Sequence, residues 1–178
     1  LLHFLFLPEW GYDDTTMQVG TVLKLHKQAD LYWNFSEGFK TPSISELFSV
    51  NFAGFGNTTL EPEESDSYEV GFRVREAGPF SGNISFFNID LKNEILFDPG
   101  EGLFGQNLNV GRSRRAGVEF SLKCKPRQWL ESFFTYTYTE AKLRSTLPFP
   151  ENSNAFFTEA GAFQSGDDIG LVPRNRFT

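Results

Sequence analysis

The sequence predicts an all-β protein, an antiparallel up-and-down transmembrane β-barrel, of which these 178 residues supply an incomplete segment of about six strands plus the start of a seventh. Three observations carry that expectation. Apolar residues recur at every second position through several segments, the connections between segments alternate short and long, and the apolar part of each segment abuts the short connections. Period-two alternation is the mark of a strand with two unlike faces. Strict short-long alternation fits strands that rise and fall around a barrel, because every second connection then lies on the same rim.

Segment 16–25 sets Met17, Val19, Leu23 and Leu25 in one phase, and 31–37 does the same with Leu31, Trp33 and Phe35; the connection 26–30 between them is short. The next connection, 38–65, is long and holds one candidate helical turn at 43–48. In segment 66–76, Tyr68, Val70, Phe72 and Val74 share one face, with Glu69, Gly71, Arg73 and Arg75 on the other. Segments 80–97, 109–125 and 129–143 follow, joined by 77–79 (short), 98–108 (long) and 126–128 (short); after the long connection 144–173, residues 174–178 open another strand.

The apolar band sits at one height. Phe72 and Val74 precede a short turn and Phe80, Ile84 and Phe86 follow it; Val118, Phe120, Leu122 and Cys124 precede the next, and Leu130, Phe134, Tyr136 and Tyr138 follow. Farther out, the same phase turns polar at Asn88, Asp90, Arg112 and Arg114, so the strands exceed the roughly 9–11 residues that cross a bilayer. Val70, Phe72, Val118, Phe120, Leu122, Tyr136 and Tyr138 are therefore expected to face lipid. Phe87, Ile89 and Leu91 are apolar on the opposite face, which a bulge or packing inside the barrel would explain.

Composition narrows the function classes. Sixteen basic against 23 acidic residues give a net charge of −7, which lacks the basic signature of a nucleic-acid binder. One cysteine, Cys124, permits no internal disulfide. The opening run LLHFLFLP is too short for a membrane helix, which needs about 20 residues, and has no basic flank of a signal peptide. His3 and His26 have no partnering ligands nearby, and GEGLFG at 100–105 lies between strands with no helix behind it to hold a phosphate. No enzyme activity, metal or cofactor is expected.

Several blocks resemble TonB-dependent outer-membrane receptors of Gram-negative bacteria, among them YWNFSEGFKTPSISELF (32–48), LEPEESDSYEVGFR (60–73), FFNIDLKNEI (86–95), NVGRSRRAGVEFSL (109–122), FTYTYTEAKL (134–143) and VPRNRF (172–177). The resemblance implies a 22-stranded barrel plugged by an N-terminal domain, which takes up a scarce, bulky nutrient such as a ferric chelate. It also implies coupling to the inner-membrane TonB complex through a box ahead of the plug. Residues 1–178 then correspond to part of the C-terminal barrel domain, without plug or TonB box. A passive porin or surface-binding barrel remains an alternative, and a soluble β-sheet binding domain another.

The long connections carry Phe48, Phe52, Phe55, Phe104, Phe156, Phe157 and Phe163, aromatics that either pack the connections against one another or grip a small-molecule chelate. On the inner phase near the short turns, Arg73, Arg75, Lys123 and Lys125, together with Lys24, form a basic rim that would pair with plug carboxylates in a plugged barrel, bias an open one toward anions, or stand as ordinary solvated charge. The expected surroundings are outer-membrane lipid, a chelate ligand and the TonB complex, with no nucleic acid.

Overall fold

The computed structural model describes residues 15–48, 56–98, 105–146, 164–170 and 172–178. The strands are β1 (Gln18–His26), β2 (Ala29–Lys40), β3 (Glu63–Ala77), β4 (Phe80–Lys92), β5 (Ile95–Asp98), β6 (Gln106–Asn109), β7 (Arg112–Arg127), β8 (Leu130–Leu143) and β9 (Asn175–Phe177), with one helical turn, α1 (Ile44–Leu47), between β2 and β3. Seven strands form one antiparallel sheet in the order β1-β2-β3-β4-β7-β8-β9, and β5 and β6 pair separately as a hairpin. At the short connections His26 pairs with Ala29, Ala77 with Phe80 and Arg127 with Leu130, each after a register shift. Such shifts tighten the local twist where the chain reverses.

Register builds one apolar face. Leu23, Leu31, Phe72, Ile84, Phe120, Tyr136 and Phe177 lie in one row across all seven strands, and Trp33, Val70, Phe86, Val118 and Tyr138 lie in the next. Ring pairs such as Phe120 with Phe134 (6.1 Å between centroids) and Tyr136 with Phe177 (4.9 Å) knit neighbouring strands on this face. Toward the long connections the face turns charged, with Asp66, Asp90, Arg114 and Lys142 in register.

Among the described residues nothing covers the apolar rows: Leu23 is 56% exposed and Phe86 56%. Among the described residues the buried apolar side chains are Leu47, Leu60, Ile95, Val110, Ala141, Leu143 and Ile169, none of which belongs to those rows. A soluble sandwich would place its core against that face.

Two expectations are revised. Segment 80–97 is not one strand, because Asn93 has a left-handed backbone (φ 56°) that ends β4 and starts the β5–β6 hairpin. Asn tolerates that region better than other non-glycine residues. The apolar inner residues of β4 are not caused by a bulge, since β4 pairs with β7 without a slip from Phe80–Cys124 to Lys92–Arg112. They meet inner-face partners instead. The Phe87 ring stands where a side chain at Gly117 would be, and Ile89 and Leu91 share ladders with Ala141 and Leu143 through Arg115 and Ser113.

Asn93→Val in the full-length protein should open the hairpin to protease cutting within 95–110, since a β-branched residue at positive φ costs about 1–2 kcal/mol. Asn93→Gly should keep the turn and cut more slowly than Asn93→Val. Equal cutting rates would show that the turn at 93 does not hold the hairpin.

Candidate functional site

The rim of long connections is built from backbone signals outward. Ser43 caps α1, accepting from the Glu46 N–H at 3.2 Å while its own N–H donates to Glu46 Oε2 at 2.7 Å. Lys40, the last residue of β2, donates to Glu46 Oε1 at 2.9 Å and Glu63 Oε1 at 3.3 Å, tying the helical turn to both strand ends. Leu47, Leu60 and Ile95 are buried together beneath it. Each such side chain contributes about 1.5–3 kcal/mol when fully removed from water.

Side-chain amides join this segment to the hairpin. Asn57 Nδ2 donates to the Asn107 carbonyl at 2.9 Å, and Asn107 Nδ2 donates to the Glu46 carbonyl at 3.0 Å. Asn109 accepts from the Glu61 N–H at 2.9 Å and donates to the carbonyls of Glu61 (2.9 Å) and Asn93 (2.7 Å). The hairpin is fixed to the inner wall by Glu94, which is 4% exposed and accepts from the Ser113 hydroxyl and the Arg115 guanidinium. On its other side Val110 is buried with Ala141, Leu143 and Ile169.

Toward the short turns the inner wall is largely polar, and many of its polar groups pair with one another. The Tyr32 hydroxyl lies within hydrogen-bond reach of Glu69 Oε1 (2.9 Å) and Asn83 Oδ1 (3.2 Å), and the Arg73 guanidinium stands over its ring at 5.7 Å. The Tyr32 ring crosses Gly71 so closely that a Cβ there would fall 2.3 Å from Tyr32 Cζ, so only glycine lets the ring lie flat along the wall. Arg75 Nε donates to the buried Asp30 Oδ2 at 2.8 Å, with Arg73 3.5 Å from the same oxygen. Lys123 and Lys125 both approach Glu131, at 2.9 and 3.7 Å.

Of the residues named from sequence, Arg73, Arg75, Lys123 and Lys125 do gather on the inner face near the short turns, and each has an acidic neighbour in Asp30 or Glu131. Phe48 is exposed beside α1; Phe52, Phe55, Phe104, Phe156, Phe157 and Phe163 lie outside the described residues. His26 ends β1 at the edge of a turn, with the Gln28 nitrogen 3.4 Å from its Nδ1. No cluster of metal-ligating side chains occurs among the described residues. Sequence reading missed Asp30, Glu94, Glu131, Asn107 and Asn109. Extending the register back from each short turn would have found the first, since Asp30 pairs directly with Arg73. Nothing in the sequence marked the asparagines.

A wall of antiparallel strands with an uncovered apolar face, a polar opposite face and its long connections on one rim is a segment of a membrane β-barrel. Residues 7–178 match the family described as "TonB dependent receptor-like, beta-barrel", and the chain belongs to that family. It is 26% identical over 125 residues to the ferrichrome outer membrane transporter/phage receptor of Escherichia coli K12, covering 70% of this chain and 15% of the relative. The chain thus spans about a seventh of that relative's length. Its fold is like that of the siderophore receptor PirA from Pseudomonas aeruginosa (TM-score 0.59, 17% identity, 83% of this chain and 38% of that one). It is also like that of the copper transporter OprC (TM-score 0.58, 20% identity, 70% and 20%). In this segment the barrel is not closed, since β1 and β9 end the sheet.

The anchorage of α1 should depend on acidity. Burial by itself would raise the Glu46 carboxyl, but the Ser43 N–H, the Lys40 ammonium and the Ser43 hydroxyl outweigh it and hold the group below its ordinary value of 4.5. A depressed acid stabilises the folded state fully above its unfolded value and loses that contribution as pH falls through the folded one. A spin label at Ser45→Cys should therefore be equally restrained at pH 7 and pH 6 and loosen only as pH falls below the ordinary value of 4.5. Glu46→Gln should show the looser signal throughout; no change with that substitution would remove Glu46 as the anchor.

Proposed function

We propose that the chain forms part of the C-terminal barrel domain of a larger outer-membrane receptor in a Gram-negative bacterium. That receptor takes up a ferric chelate, or a similarly bulky nutrient, with energy from the TonB complex reached through an N-terminal region. The observation that carries this reading is the in-register apolar band left uncovered beside a rim of long, interlocked connections. In it, Val70, Phe72, Val118, Phe120, Leu122, Tyr136 and Tyr138 meet lipid, and the polar inner face meets a plug. The cargo class draws on the names of similar proteins, one a ferrichrome transporter and one a siderophore receptor.

Capture belongs to the long-connection rim. The opposite rim has two-residue turns, too short to surround a ligand. Asp30 and Glu131 offset half the charge of Arg73, Arg75, Lys123 and Lys125, and each cation already has a carboxylate beside it, which weakens the group as an anion filter. They are better placed to hold the wall's own geometry and to exchange partners with a plug.

Cells expressing the full-length receptor should accumulate a labelled ferric chelate only while the proton gradient and the TonB complex are intact. Uptake that persists without either would favour a passive barrel. Deleting 152–163 should weaken chelate binding at least about tenfold without preventing insertion, since exposed connections tolerate change that strands do not.

The lipid assignment has its own test. Phe120→Arg should impair assembly, because a cation at mid-bilayer costs about 2–4 kcal/mol, whereas Ser121→Arg on the inner face should assemble normally. Heat-modifiable gel mobility reads the outcome, and equal tolerance of both would reverse the faces.

A further inference from the structure

We propose that the β5–β6 hairpin ties the described parts of the three long connections into one body, a cap that opens as a unit and not as three separate loops. The proposal rests on the reading of that rim as the capture site, yet the coupling is measurable with no ligand present.

Strand alternation gives the hairpin two working faces. Ile95 points to one side and packs with Leu47 and Leu60, both from the first long connection. Leu96 points to the other and packs on the cluster of Val110, Ala141, Leu143 and Ile169, with Val172 beside it; Ile169 and Val172 come from the third. The hairpin is therefore the middle layer between two connections that are distant in sequence. Its own foot is fastened at Glu94, which the Ser113 hydroxyl and Arg115 hold to the wall and whose carbonyl accepts the Val110 N–H at 2.8 Å.

Polar bonds follow the same division. Toward the first connection run Asn57 to Asn107, Asn107 to Glu46, Asn109 to Glu61, Asn93 Nδ2 to Glu61 Oε2 at 3.0 Å, and the Ile95 N–H to Glu63 Oε1 at 2.8 Å. An asparagine amide carries donors and an acceptor together, so one side chain can serve as partner to both backbone groups of an irregular segment. Asn109 does this for both the N–H and the carbonyl of Glu61. On the side of the third connection the hairpin contact is the apolar one made by Leu96, and the polar bonds run from β8: Ile169 N–H donates to Ala141 O at 3.0 Å and Leu143 N–H to Asp167 O at 2.9 Å. Asn93, Asn107 and Asn109 are positioning residues: they fix where the connections stand relative to one another.

The test is amide hydrogen exchange on the full-length receptor without ligand, in wild type, Asn109→Leu, Asn57→Ala and Leu96→Ala. If the cap is one body, Asn109→Leu should speed exchange roughly tenfold in 56–63 and 105–110 together, the change that loss of such contacts makes to a local opening. Asn57→Ala, altered only in the first connection, should speed exchange in the hairpin as well. Leu96→Ala should speed it in 164–170 and in the hairpin. Strand segments 66–74 and 114–122 should be unchanged, which marks an intact barrel. Faster exchange confined to the connection that carries each substitution overturns the proposal. Loss of chelate binding without coupled exchange would overturn it while leaving the capture reading standing, and coupled exchange in a protein that binds no chelate would do the reverse.

Discussion

Everything in this chain depends on backbone hydrogen bonds being made by neighbouring strands, in register, over a long run. Inside a bilayer no water can satisfy a free N–H or carbonyl, so a wall of strands is stable only if each strand is paired along the whole span. β4 shows the constraint most clearly: it pairs with β7 on one side from Phe80 to Lys92 and with β3 on the other, free of slips between Gly82 and Lys92. A shift of one residue would exchange the faces and bring Arg73 or Glu119 into the row now held by Phe72 and Phe120. Register is thus what converts an alternating sequence into one apolar and one polar surface.

The two ends of the wall answer to different demands. At the short-turn end the chain only has to reverse, and two residues suffice. Arg73 and Arg75 gather on Asp30 and Lys123 and Lys125 on Glu131, which holds the cations in place where the strands begin and offsets half of their charge. At the other end the strands outrun the apolar band and their outer face carries Asp66, Asp90, Arg114 and Lys142. There the buried apolar residues of the described chain collect, beneath connections and not beneath the sheet. The protein places its packed core at the mouth.

That distribution makes physical sense for a receptor barrel. The uncovered band needs no protein partner if lipid surrounds it, so packing is reserved for the excursions that must hold a shape in water. Family membership supports this arrangement over a soluble β-domain. The core of Leu47, Leu60 and Ile95 and that of Val110, Ala141, Leu143 and Ile169 are small, and the asparagine bridges supply the definition that a larger core would give elsewhere.

The sequence alone determined the strands, the two faces and the rhythm of the connections, because period-two alternation and turn length are local properties. Val70, Phe72, Val118, Phe120, Tyr136 and Tyr138 share one face as their spacing required. It could not determine where 80–97 would break, since the left-handed turn at Asn93 is stabilised by a bond to Glu61, 32 residues away. Nor could it assign Asp30 to Arg75 or Asn109 to Glu61, which are 45 and 48 residues apart. Those pairings exist only after the strands have aligned and the hairpin has folded over the inner wall. Alternation is written residue by residue, whereas the clasp at the mouth is a product of which distant segments the register brings side by side.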